Sequence, residues 1–293
     1  MTDKKQRVSI MKPIIIITTF LLCAIYSFGQ DYYKTEAEEA AKIGPLIDSC
    51  HWDTLPGRIP VLYSKNYKIR AKAIQSMIED CAGFYEKKFP GTKFNFQIML
   101  PDQRTWHAIR LDDFMPYGFP TYNWKLNKIF IGADKQAVGK TLTEHNDETP
   151  DSVIVPRDVI ALHEMGHIFL QTVKNIFTGK KWADEFLASY FKICFTKENE
   201  QYKDFPGNKA AQLPQYRTLK DFERLYTSVG VVNYGWYQGK FQELGMKLYP
   251  KLKMKLLKKF VDNYSPGGKR LPPLVLLKHL APDITNEWLK EME

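Results

Sequence analysis

The chain has 293 residues, 44% of them hydrophobic and 14% aromatic, which is enough apolar material for one sizeable core and excludes a disordered or fibrous polymer. Its formal charge of +9 is not gathered into a basic stretch interleaved with stacking aromatics, so a nucleic-acid module is not indicated. Four cysteines without C-x-x-C spacing argue against a disulfide scaffold and against a thiolate metal site.

The amino terminus comes first in chain order. Lys4, Lys5, Arg7 and Lys12 precede the apolar run Pro13 to Ile25, and Ser27-Phe28-Gly29 follows; this is the pattern of a signal peptide over residues 1–29. A membrane anchor is the alternative, but the run falls short of the roughly 20 apolar residues that span a bilayer. The expected location is therefore exported, periplasmic or extracellular, with no stable membrane span after cleavage. Loss of four basic residues and Asp3 lowers the net charge from +9 to +6. Residues 30–55 are a candidate prosegment. Cys50 and Cys81 could bridge in an oxidising compartment, whereas Cys194 sits in an apolar run and reads as a buried thiol.

Between residues 30 and 155 the pattern predicts a strand at Ile59 to Tyr63, a helix over Ala71 to Lys88, a strand at Lys93 to Leu100, and a loop from Tyr117 to Trp124 leading into a strand at Lys128 to Gly132. An edge strand in this region could accept extended peptide backbone.

The most informative stretch follows Pro156. Pro156 suits a first helical turn, Asp158 favours the positive helix end, and Val159, Ile160, Leu162, Phe169 and Leu170 supply apolar faces, so His163-Glu164-Met165-Gly166-His167 falls within a largely buried helix. Residues four apart lie on one face about 6 Å apart along the axis, so both imidazoles can reach one ion. Glu164 is turned about 100° away and can take a proton from an activated water. Two core histidines satisfied by hydrogen bonds are the plain alternative.

A catalytic zinc takes three protein ligands and leaves one position open. The next apolar run, Trp182 to Tyr190, carries Asp184 and Glu185 among buried neighbours, a costly place for a carboxylate unless it is paired or bound to a cation. Glu185 is the expected third ligand, with Asp184 a weaker candidate or a partner to the ligands.

With both segments in order the chain resembles the gluzincin zinc metallopeptidases, the thermolysin and zinc aminopeptidase group. Asp184-Glu185-Phe186-Leu187-Ala188-Ser189-Tyr190 is similar to the aminopeptidase Asn-Glu-Gly-Phe-Ala-Ser-Tyr segment, with Glu185 on the ligand position. The resemblance implies one Zn2+ held by His163, His167 and Glu185, Glu164 as general base, and a downstream Tyr or His donating to the oxyanion. Asn233-Tyr234-Gly235-Trp236-Tyr237-Gln238-Gly239 lies where that branch carries its Tyr-x-x-Gly helix, which makes Tyr234 and Tyr237 the two candidates, His279 being a weaker substitute. The aminopeptidase Gly-x-Met-x-Asn segment is absent, which favours endopeptidase action.

The remaining chain predicts a helix from about Tyr237, a helix with Lys251, Lys255, Lys258 and Lys259 on a solvated face opposite Leu252, Leu256, Leu257 and Phe260, a break at Ser265 to Gly268, and a last helix near Ile284 to Met292. The expected fold class is α+β: residues 30–293 as one zincin-like domain, a small sheet-bearing lobe over 30–155 followed by a mainly helical lobe over 156–293, with the zinc cleft between them. The expected activity is hydrolysis of a peptide or protein substrate. The alternatives are a silent peptide- or glycan-binding module on the same scaffold and a zinc hydrolase of a non-peptide bond.

Overall fold

The structure, a computed structural model, describes residues 37–113, 115–134, 154, 156–202 and 214–292. The signal-peptide segment and residues 30–36 of the candidate prosegment lie outside the described residues.

The fold is α+β. Helix α1 (37–49) is followed by strands β1 (Asp53–Leu55) and β2 (Val61–Tyr63), helix α2 (Lys68–Lys88), strand β3 (Gln97–Leu100), the short helix α3 (Gln103–Ala108), and strands β4 (Thr121–Asn123) and β5 (Lys128–Phe130). They form one five-stranded sheet in the order β1-β2-β3-β5-β4, parallel in its centre and antiparallel at both edges. Side chains alternate across it. Val61, Tyr63, Ile98, Leu100 and Ile129 face a large core, while Met99 and Phe130 face a smaller one containing Ile43 and Ile47 of α1 and Trp106 of α3.

Residues 37–55 are therefore part of the fold: α1 fills the smaller core and β1 pairs with β2. The same alternation separates Cys50 from Cys81. Cys81 is buried in the large core and Cys50 packs against the smaller one, so both are free thiols and the considered bridge is not formed. The sheet also revises the segment before β5. Thr121–Asn123, expected to be loop, is a strand paired with β5, and it takes the edge position, leaving β5 internal. Asn127, at φ 52°, and the Asn123 side chain, which accepts from the Leu126 N–H at 3.0 Å, make the tight connection that brings β4 back.

Helix α2 lays the stripe Ala71, Ile74, Met77, Ile78, Cys81, Ala82 and Tyr85 on the large core at three- and four-residue spacing. From Pro156 onward the described residues form helices joined by short irregular segments. Helices α4 (Pro156–Val159) and α5 (Ala161–His167) run into a π-helix (Ile168–Val173); then come α6 (Lys181–Glu198), α7 (Leu219–Leu225), α8 (Val231–Leu252), α9 (Met254–Tyr264), α10 (Pro273–Leu280) and α11 (Pro282–Lys290). The lysine face was legible in the sequence, with Lys251, Lys255, Lys258 and Lys259 exposed and the apolar residues opposite buried. Lys253, at φ 43°, splits that segment between α8 and α9.

Among the described residues no helix is long and apolar enough to cross a membrane. Buried side chains of the sheet, of α2 and of the later helices belong to one cluster, so the metal-motif helix α5 lies against the same core as the strands.

Candidate metal centre

The segment carrying the paired histidines is three helical pieces in place of one. Ile160 N donates to the Arg157 carbonyl at 3.0 Å, a tight turn that ends α4, and beyond His167 the backbone widens, with Lys174 N donating to the Phe169 carbonyl at 2.9 Å. A wider turn sweeps less rotation per residue, which lets the consecutive side chains Ile168, Phe169 and Leu170 all reach the core. Phe169 sits in a ring cluster with Tyr85, Phe89 and Phe191, and Tyr85 stacks on Phe191 with centroids 3.6 Å apart. This cluster joins α2, the π-helix and α6, which fixes α6 beside α5.

Two devices hold the start of α6. Thr178 Oγ1 accepts from Lys180 N at 3.1 Å and donates to Asp184 at 2.8 Å, and Glu223 of α7 accepts from the Trp182 N–H at 2.9 Å, supplying the cap that Lys180 cannot. Glu185, one turn in, is 2% exposed.

The three expected ligands meet. His163 Nε2 lies 3.1 Å from Glu185 Oε2 and 3.1 Å from His167 Nε2, and His167 Nε2 lies 3.7 Å from the same carboxylate oxygen. One donor atom from each falls within 4.8 Å of the others, so the group could hold a metal ion. Two imidazoles and one carboxylate match the His2Glu donor set of some catalytic zinc sites. His163 Nδ1 is 3.1 Å from Ser189 Oγ, one turn beyond Glu185, which orients the ring and leaves Nε2 facing the cluster.

The carboxylate at the centre is held from two more sides. Tyr226 donates to Glu185 Oε1 at 2.5 Å and Gln238 Nε2 donates to Oε2 at 2.6 Å. Tyr226 terminates α7 at φ 47°, ψ −119°, a backbone conformation that costs a side-chain-bearing residue about 1–3 kcal/mol. Neither residue was singled out from the sequence. Gln238 lay inside the inspected Asn233 to Gly239 stretch; nothing in the local pattern pointed to Tyr226, because its position follows from how α7 ends.

Charges in the cluster are strongly coupled. Burial opposes ionisation of Glu185, yet His167 and His163 beside it outweigh that cost and hold its carboxyl well below the usual range. Burial would also lower His167, but Glu185, with Glu164 and Asp184 nearby, pushes it up to about 9. Burial wins at His163 and lowers it. Asp184 is pushed up to about 7 by burial, its side chain bonded to Thr178. It is not one of the three converging donors.

Glu164 projects towards the sheet edge, where its Oε2 accepts from the backbone N–H of Tyr122 in β4 at 3.0 Å. The two candidate tyrosines separate clearly. Burial, then the charges of Glu185 and Glu164, push the Tyr234 hydroxyl well above its ordinary value; Gln238 and Tyr226 are its hydrogen-bond neighbours, and its ring lies 6.1 Å from that of Tyr226. Tyr237 is fully buried and donates to the Thr218 carbonyl at 2.8 Å, its ring packed on Phe222. Its hydroxyl is committed to the start of α7, where Thr218 caps the helix. Asn233 likewise ties residues 215 and 216 to α8. His279 is exposed in the last turn of α10 and is not one of the converging donors.

Comparison with protein-family models, with curated proteins and with solved structures found no match.

Proposed function

We propose that this chain is an exported zinc-dependent peptidase, with endopeptidase action favoured, in which a helical lobe and a sheet-bearing lobe flank a zincin-like cleft. The observation that carries this reading is the convergence of His163, His167 and Glu185, with Glu164 between the two histidines in sequence and beside the edge strand in space. The donor set fits zinc, and the three residues would hold it. Zinc, when bound, supplies Lewis acidity, which polarises a carbonyl and lowers the pKa of water.

The remaining work falls to the chain's own groups. Glu164 accepts a proton from the attacking water and returns it to the leaving amine, its carboxylate oriented by the Tyr122 backbone N–H. Tyr234 stays protonated beside two carboxylates and so can donate to the oxygen that gains charge as the carbonyl is attacked. β4 is an edge strand alongside Glu164, a place where an extended peptide could add as a further strand, a mode that gives affinity with little side-chain selectivity. Export rests on the basic and apolar amino-terminal pattern.

The test is incubation of the zinc-loaded protein with a peptide library, followed by mass spectrometry of the products. Internal cleavage that stops on zinc removal is the expected result. Capture of peptides without any cleavage would overturn the reading in favour of a binding module, and turnover confined to esters or other non-peptide bonds would reassign the substrate.

A further inference from the structure

Glu185 Oε2 is the oxygen that faces both imidazoles, at 3.1 Å from His163 Nε2 and 3.7 Å from His167 Nε2, whereas Oε1 receives the Tyr226 hydroxyl at 2.5 Å. Gln238 adds a second donor on Oε2 at 2.6 Å. A carboxylate has about four lone-pair sites, so these contacts divide its two oxygens into one turned to the histidines and one occupied by a hydroxyl. The Tyr226 backbone adopts a left-handed conformation where α7 ends, and its ring packs against Phe222 and Tyr234 and under the Lys181 ammonium. The hydroxyl is thus held in place from several directions.

We propose that Tyr226 and Gln238 are positioning residues that make Glu185 a one-oxygen ligand: Tyr226 keeps Oε1 out of the coordination sphere, and Gln238 fixes the direction of Oε2. The inference rests on the proposed metal site and goes beyond it, because a His2Glu set alone does not decide whether the glutamate binds through one oxygen or two. One-oxygen binding leaves the fourth position of a tetrahedral zinc open; two-oxygen binding would fill it.

The experiment uses the full chain loaded with Co2+ and, separately, with Zn2+. Visible absorption of the cobalt form reports coordination number, since four-coordinate cobalt absorbs far more strongly than five-coordinate, and chelator competition gives zinc affinity. The wild type should show the intense four-coordinate bands. Tyr226→Phe keeps the ring and frees Oε1, so the bands should weaken as Glu185 turns to bind through both oxygens. Gln238→Met keeps the volume and removes the donor, and should lower zinc affinity about 10–100-fold. If Tyr226→Phe unfolds, Gln238→Met carries the test. Wild-type spectra and affinity in every folded variant would overturn this inference and leave the metal site standing; a wild type that takes up no metal would overturn both.

Discussion

Gly166 and Ala188 mark where α5 and α6, the helices that carry the candidate ligands, meet: a side-chain carbon on Gly166 would lie 2.7 Å from Ala188 Cα and 2.8 Å from its carbonyl oxygen. Those are backbone atoms, so the helices would have to move apart to admit even a methyl group. Gly166 stands between His163 and His167, and Ala188 follows Glu185 by three residues, so the contact also sets the distance between the imidazoles and the carboxylate. Gly166→Ala should destabilise the protein by about 1–3 kcal/mol despite the better helix propensity of alanine, and should weaken zinc binding. Urea unfolding and chelator competition measure the two effects; wild-type values in both would show that the approach of the helices is not limiting.

Arg70 of α2 and Asp158 of α4 form an ion pair in which neither side chain is exposed, and Arg157 is buried nearby, donating to the carbonyls of Gly132 at 3.0 Å and Asp134 at 2.5 Å. Asp158 pairs with Arg70, and its charge also favours the Arg157 cation, which burial and Arg70 oppose and Asp134 supports as well. Asp158→Asn should therefore cost about 3–5 kcal/mol, the effect of leaving a buried charge without its partner, and should loosen the start of the histidine helix. A denaturation midpoint within experimental error of wild type would show that the arginines find other partners.

Much of the site was legible because it is local. Four-residue spacing puts His163 and His167 on one helix face in any fold, and an acid among apolar neighbours marks Glu185 whichever way its helix packs. What was not legible depends on tertiary placement. Tyr226 reaches Glu185 from a helix end whose backbone turns left-handed, and no propensity encodes that. Tyr234 and Tyr237 are three residues apart on one helix, so sequence could not say that one neighbours Tyr226 and Gln238 and the other bonds the Thr218 carbonyl. The strand at 121–123 was missed because three residues are too few to show alternation, and its identity comes from pairing with β5.

Glu164→Gln tests the base. The amide oxygen of glutamine can still accept from the Tyr122 N–H, so the strand edge and the helix should stay in place, and Glu164 is not among the three converging donors. Zinc content should match wild type while peptide hydrolysis falls at least about a hundredfold. Cleavage at the wild-type rate would remove Glu164 from the mechanism.

Tyr234→Phe and Tyr237→Phe should give opposite results. Loss of the Tyr234 hydroxyl beside Glu185 and Glu164 should lower kcat by about 100-fold or more, with little change in KM or in unfolding midpoint. Loss of the Tyr237 hydroxyl breaks the bond to the Thr218 carbonyl at the start of α7 and should cost about 1 kcal/mol of stability, leaving kcat close to wild type. Steady-state kinetics with thermal unfolding separates the two, and equal losses of kcat would show that both hydroxyls serve the reaction.

The coupling between His167 and Glu185 predicts how zinc binding depends on pH. In the metal-free protein the folded value for His167, about 9, lies above its ordinary 6.5, because the Glu185 carboxylate outweighs the cost of burial. The sign is that of a raised group: the ion pair stabilises the metal-free fold fully below pH 6.5, and that contribution is lost as pH rises through about 9. Zinc needs the neutral imidazole and must displace this proton, so the apparent zinc affinity should rise about tenfold per pH unit from neutrality and level off near the folded value. His167→Ala removes both the proton and a ligand, and should leave a weaker site with a shallower slope. Chelator competition at a series of pH values reads both slopes, and a wild-type affinity that is flat from neutral to mildly alkaline pH would show that no protonated imidazole stands in the way of the ion.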